Sequence, residues 1–180
     1  MKTPRRARTL ATAVTAGAVV AGAVVVGTLA TAGAASGGQP DLNRVRAATA
    51  AYHDVAHVGH GGYTKFLDCM DDGGSKGMGQ HYVNMTLLGD SGALDVAKPE
   101  ALVYDVSGGK SRLVAVEYVV PGAKSDPAPH LLNQTFTYNT ELGVWKLHYW
   151  IWRTNPDGIF KDYSPSVPLC APGTAMAMHH

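Results

Sequence analysis

The sequence predicts an α+β domain: an N-terminal helix packed on a curved, mostly antiparallel sheet of four to five strands. Three observations lead there. Val45, Ala48, Tyr52 and Val55 recur at helical spacing and form one apolar stripe. Beyond Gly77 the chain divides into strand-length runs at residues 79–85, 101–106, 112–120, 131–138 and 144–153, separated by clusters of Gly, Asn, Asp and Pro. The last two runs read as a hairpin. An amphipathic helix must bury its stripe, and the nearest available surface is the sheet. A small closed barrel of cupin or lipocalin type is the competing architecture.

Each element has a local reason. Asp41 can cap a helix over residues 42–58, and Gly59, Gly61 and Gly62 end it. Gly73, Gly74 and Gly77 mark a loop after Cys69. Residues 113–120 are apolar at nearly every position, as expected of a central strand covered on both faces. Asn155-Pro156-Asp157-Gly158 is a turn, and Pro165, Pro168 and Pro172 exclude regular structure near the end.

The ends indicate export. Residues 1–34 have the layout of a signal peptide: basic Lys2, Arg5, Arg6 and Arg8, an uncharged run from Leu10 to Ala32, then small residues at Ala32-Gly33-Ala34. Arg5-Arg6 forms part of a twin-arginine motif, but the Sec route is favoured; the uncharged run is Ala- and Gly-rich, which argues against a retained membrane anchor. A flexible lead at 35–41, one globular domain at 42–170 and a flexible tail at 171–180 complete the organisation. The leader holds four of the 15 basic residues and none of the 14 acidic ones, so the remainder carries a net charge of −3. That balance, with no basic patch, argues against nucleic acid and against a membrane surface as partner after cleavage. A small-molecule partner is left open. Cys69 and Cys170 are the only cysteines, and neither lies in a C-x-x-C pair. In an oxidising compartment they read as one disulfide, with a thiolate nucleophile or metal ligand as the alternative.

Chemistry concentrates on the sheet. Glu117 lies in Val114-Ala115-Val116-Glu117-Tyr118-Val119-Val120, where either face of the strand is otherwise apolar. A carboxylate there must be paired, metal-bound or protonated, because an isolated buried charge costs several kcal/mol. His81 and His148 lie on other predicted strands and are natural co-ligands. Two imidazoles and a carboxylate suit a divalent transition metal, Zn, Fe or Mn. The plainer alternative keeps both histidines as ordinary sheet residues and pairs Glu117 with Arg112, Lys146 or Arg153; metal-free acid/base catalysis is a third. Gln134, facing His148 across the hairpin, would be a donor behind the ligands. Trp150 and Trp152 would share a strand face with His148 and line a pocket. His53, His57 and His60 follow a helical i, i+4, i+7 spacing, which favours a solvated face, although His53 could add a ligand. Met176, Met178, His179 and His180 resemble a Cu(I) ligand set on a tail that is more simply flexible. No nucleophile elbow, phosphate loop or dinucleotide fingerprint is present.

Three segments carry a resemblance: Gly77-Met78-Gly79-x-His81-Tyr82, Val116-Glu117-Tyr118, and Leu147-His148-x-Trp150-x-Trp152-x-x-Asn155-Pro156-x-Gly158-x-Phe160. Together they resemble a group of small secreted bacterial proteins, mainly actinobacterial, over about residues 52–165. No activity is established for that group, so the resemblance implies positions rather than chemistry, and the positions are His81, Glu117 and His148. The sequence therefore leads to an extracytoplasmic metal-binding domain, with enzymatic activity left open. A metal-free ligand-binding or inhibitor module stiffened by Cys69–Cys170 is the alternative.

Overall fold

Residues 112–121, a largely apolar run, form an interior strand of a seven-stranded sheet in a computed structural model that describes residues 39–177. The proposed leader and the last three residues lie outside the described residues. Among the described residues, no helix is long and apolar enough to cross a membrane.

Helix α1 (Gln39–Thr49) leads into three short 3-10 turns that end at Gly61. The strands are β1 (Tyr63–Asp71), β2 (Gly77–Asn84), β3 (Ala101–Asp105), β4 (Arg112–Pro121), β5 (His130–Leu131), β6 (Gln134–Thr135), β7 (Thr137–Asn139), β8 (Val144–Tyr149) and β9 (Ala175–Ala177). A one-turn helix, α2 (Met85–Leu88), follows β2. The main sheet has the order β7-β8-β4-β3-β2-β1-β9; every pair is antiparallel except β1 with β9, and β5–β6 form a separate ribbon. The sheet curls into a half-barrel whose edges, β7 and β9, do not meet, so the closed-barrel alternative is set aside.

Three sequence expectations are corrected. The helix expected over 42–58 stops at Thr49: Thr49 turns its hydroxyl back to the Val45 carbonyl, and Asp54 takes an extended backbone and caps a new turn by accepting from Ala56. The sheet has seven strands rather than four or five. β1 was not anticipated because a bulge at Leu67, with φ of +55°, breaks its alternation and exposes Lys65, Leu67 and Asp68. β9 forms within the stretch expected as tail. Finally, the run 131–138 is not one strand: Leu132 and Asn133 both have positive φ and close the tight β5–β6 turn.

The two faces of the sheet are covered differently. Leu102, Tyr104, Leu113, Val116, Tyr118, Leu147 and Tyr149 pack with Val45, Val58 and Tyr63 from the N-terminal segment. On the other face, Val103, Val114, Ala115 and Trp150 pack with Val167 of the irregular C-terminal segment. A bulge opposite Val103–Tyr104 interrupts the alternation, so that Val114 and Ala115 share one face while Leu113 and Val116 share the other. The C-terminal cover approaches β2 at Gly77, where any Cβ would strike the Val167 and Pro168 carbonyls; Gly79, at φ +112°, lies equally tight under the Tyr104 carbonyl. Both glycines of Gly77-Met78-Gly79 are thus needed for close approach.

Glu100 is one of the buried acids outside the cluster. It is 2% exposed and accepts the Val119 N–H at 3.0 Å. Burial pushes its carboxyl up to about 7. Because the folded form holds a proton that the unfolded form releases above the ordinary carboxylate range, stability declines from about pH 4.5 to about pH 7 on this account. Glu100→Gln is expected to match the parent near pH 4 and exceed it by about 2–3 kcal/mol at pH 8. Urea denaturation at the two pH values checks this; an equal effect at both would refute the assignment.

Candidate metal centre

Strand alternation and register bring His81, Glu117 and His148 together on the face covered by the C-terminal segment. Glu117 on β4 stands directly opposite His148 on β8. His81 lies on β2, with β3 between it and β4. In that gap β3 presents Ala101, which pairs with Glu117, and Val103, which pairs with His81. These short side chains let the imidazole and the carboxylate reach each other across a strand, over a backbone separation of about 9–10 Å.

The contacts are close. His81 Nε2 lies 3.5 Å from Glu117 Oε2 and 3.4 Å from His148 Nε2. His148 Nδ1 lies 3.1 Å from Glu117 Oε1, but off the axis of a well-aligned hydrogen bond. The two imidazoles are perpendicular, with ring centres 5.5 Å apart, and Trp150 stacks on His148 at 6.1 Å. All three residues are buried, at 3%, 7% and 0% exposure. One ligand atom from each lies within 4.8 Å of the others.

Two further groups belong to the cluster. Lys146, two residues before His148 on the same face of β8, ion-pairs with Asp162 at 2.6 Å. Asp162 also approaches His148 Nδ1 at 3.7 Å. Alternation could have placed Lys146 from the sequence. Asp162 carried no periodic signal, because it comes from an irregular segment. Of the other cations considered for Glu117, Arg112 and Arg153 pair instead with Asp105, at 3.6 and 2.7 Å.

Burial and neighbouring charge set the protonation states. Burial pushes His81 down to about 4, against the pull of Glu117. Burial opposes the ionisation of Glu117, but His148, His81 and Lys146 outweigh it and hold the carboxyl at about 2. For His148, burial is outweighed by Glu117 and Asp162, which raise it to about 9. Asp162 is lowered far below its usual range by His148 and Lys146, again against burial. Glu117 and Asp162 therefore balance His148 and Lys146.

Beside the cluster is a cavity of about 200 Å³. Its floor includes His81, Glu117 and Lys146; its walls are Phe66, Met70, Met78, Val83, Leu88, Val119 and Val144 with the buried amide of Asn139, and Met85 and Leu142 stand at the outer edge.

The remaining candidates go elsewhere. His53 packs edge-on against Trp152 at 4.3 Å and is not in the ligand group. With the helix ended at Thr49, His57 and His60 lie on separate exposed turns, their rings 6.0 Å apart. Trp150 and Trp152 do not share a face, because β8 stops at Tyr149 and the chain turns. Trp150 covers His148, while Trp152 donates to Thr49 Oγ1 at 3.1 Å beneath the Arg46 guanidinium. Gln134 is on the β5–β6 ribbon and donates to the Asn133 carbonyl; it borders a cavity with His148 but is not its cross-strand partner. Met176 lies on β9, and the rest of the Met/His tail lies outside the described residues apart from Ala177. Cys69 and Cys170 form the expected disulfide. It ties β1 to the segment that covers the site. Compared with protein-family models, with curated proteins and with solved structures, the chain has no match, so the site is argued from its own geometry.

Proposed function

We propose that this chain is an exported metal-binding domain in which His81, Glu117 and His148 hold one divalent transition ion at the floor of an apolar pocket. The observation that carries this is the spacing of the donors. Atoms bound to a tetrahedral ion at about 2.0–2.1 Å stand about 3.3–3.4 Å apart. The two Nε2 atoms are separated by 3.4 Å, and His81 Nε2 and Glu117 Oε2 by 3.5 Å. Glu117 Oε1 can hold His148 Nδ1–H while Oε2 serves as ligand, the carboxylate–histidine arrangement that orients metal-binding imidazoles. Zn, Fe(II) and Mn(II) all suit this set, with any open position directed toward the cavity. The disulfide supports export, since such bonds persist in oxidising compartments.

Equilibrium dialysis of chelator-stripped protein against Zn(II), Mn(II) and Fe(II), with elemental analysis, tests the proposal. The expected result is about one ion per chain, lost in a folded His81→Gln, His148→Gln double variant. Free ion at about 100 times its dissociation constant should stabilise the fold by about 2.7 kcal/mol. Because His148 must give up a proton to become a ligand, uptake should release about one proton per ion and weaken as pH falls. Uptake that is unchanged in the double variant would overturn the assignment. Absence of uptake would favour the second reading, a metal-free ligand-binding module. The balanced charges of Glu117, Asp162, His148 and Lys146 are the observation on its side.

A further inference from the structure

We infer that the cavity beside His81 and Glu117 binds a compact, uncharged apolar molecule carrying a single hydroxyl group, a phenol or small alcohol of roughly eight to ten non-hydrogen atoms. Size comes first. The cavity holds about 200 Å³, and an apolar cavity of about 150 Å³ is enough for benzene. A substituted ring therefore fits, whereas a drug-sized ligand needs roughly 300 Å³ or more.

The walls set the body of the ligand. Phe66, Val83, Leu88, Val119 and Val144 offer only hydrocarbon, and Met70 and Met78 offer adaptable thioethers that pack well against aromatic rings. The entrance is apolar too. Met85 and Leu142 flank it at 58% and 40% exposure, although neither is needed to complete the core.

The floor sets the head group. Glu117 and Lys146 are its charged residues, and both have partners within the protein: Glu117 has the two imidazoles, and Lys146 has Asp162 at 2.6 Å. A charged head would thus meet no opposite charge that is not already ion-paired, although Lys146 Nζ makes no well-aligned hydrogen bond within the protein. A hydroxyl needs none. A carboxylate has about four lone-pair positions, and the contacts of Glu117 with His81 and His148 use two of them, so an acceptor position remains for a donated O–H. This inference does not depend on the ion, although a bound ion would lie beside the same head group.

The test uses fluorine NMR on chelator-stripped protein with three probes: 4-fluorophenol, fluorobenzene and 4-fluorobenzoate. 4-Fluorophenol is expected to bind at least tenfold more tightly than either of the others. Val119→Phe, which fills the chamber, should weaken it at least tenfold, and Glu117→Gln should reduce its advantage over fluorobenzene at least threefold. Met85→Trp, at an exposed position, tests the entrance without disturbing the core and should slow or weaken uptake. Tightest binding of the benzoate would overturn the inference. So would phenol binding that Val119→Phe leaves unchanged in a folded protein, or no binding of any probe. Since ion uptake is measured separately on protein without probe, failure of one idea is distinguishable from failure of the other.

Discussion

Glu117→Ala should destabilise the domain by about 3–5 kcal/mol, the usual consequence of removing one partner from a buried ion pair. For a domain of this size that lowers the midpoint of thermal unfolding by about 10–15 °C. The loss follows from what remains: His148, whose charge Glu117 helps to hold against burial, and Lys146 would be left under the C-terminal cover with Asp162 alone. Glu117→Gln retains the shape and one acceptor and should cost less. A double variant with His148→Ala should cost less than the sum of the singles, because the second change removes the charge that the first one stranded.

The pH profile gives the same cluster a second signature. Glu117 contributes stability that is present above about pH 4.5 and lost as pH falls toward about 2. His148 contributes stability that is present below about pH 6.5 and lost as pH rises toward about 9. His81, kept neutral by burial, favours the fold progressively less as pH falls from about 6.5 to about 4. The cluster therefore stabilises most near pH 6.5, and Glu117→Ala should flatten both limbs. Thermal unfolding from pH 2 to 9 measures this. A loss below 1 kcal/mol with an unchanged profile would mean that Glu117 is solvated in the native protein.

The second large effect concerns the disulfide. Replacing Cys69 and Cys170 by serine opens a loop with a sequence separation of 101 and should cost about 4–5 kcal/mol on the chain-entropy account. The loss should be uneven. Residues 155–170 have no strand of their own and are held by scattered contacts: the Gly77–Ser164 bridge, Asn155 to the Tyr163 carbonyl, the Cys170 N–H to Asp71, and Lys76 to Asp157. Hydrogen exchange should therefore quicken first across this cover, while β2, β3 and β4 keep their protection. Uniform acceleration would show that the disulfide acts only through global stability.

Legibility in the sequence followed locality. β2, β3, β4 and β8 could be located because their runs are apolar and bounded by turn residues. β1 escaped because its bulge destroys the alternation on which recognition depends. The helix end escaped for a related reason: the break comes from Thr49 and Asp54 bonding to nearby backbone, and no glycine or proline marks it. Trp152 was placed beside His148 by extending alternation three residues past the true end of β8. Gln134 does not face His148 because the run 131–138 divides between the β5–β6 ribbon and β7 of the main sheet.

The sequence by itself determined that an acidic group would be buried among aliphatic residues on a largely apolar strand, since no register of residues 114–120 leaves Glu117 a polar neighbour along its own strand. Burial energetics then require a partner. Which partners arrive was decided only in the tertiary structure. β3 lies between β2 and β4 and is narrow there, at Ala101 and Val103, so His81 can cross it. An aperiodic segment, anchored by a distant cysteine, delivers Asp162 to Lys146. Pairing across strands and docking of an irregular cover are long-range events, governed by excluded volume and by the matching of buried charge, and no local pattern along the chain encodes either.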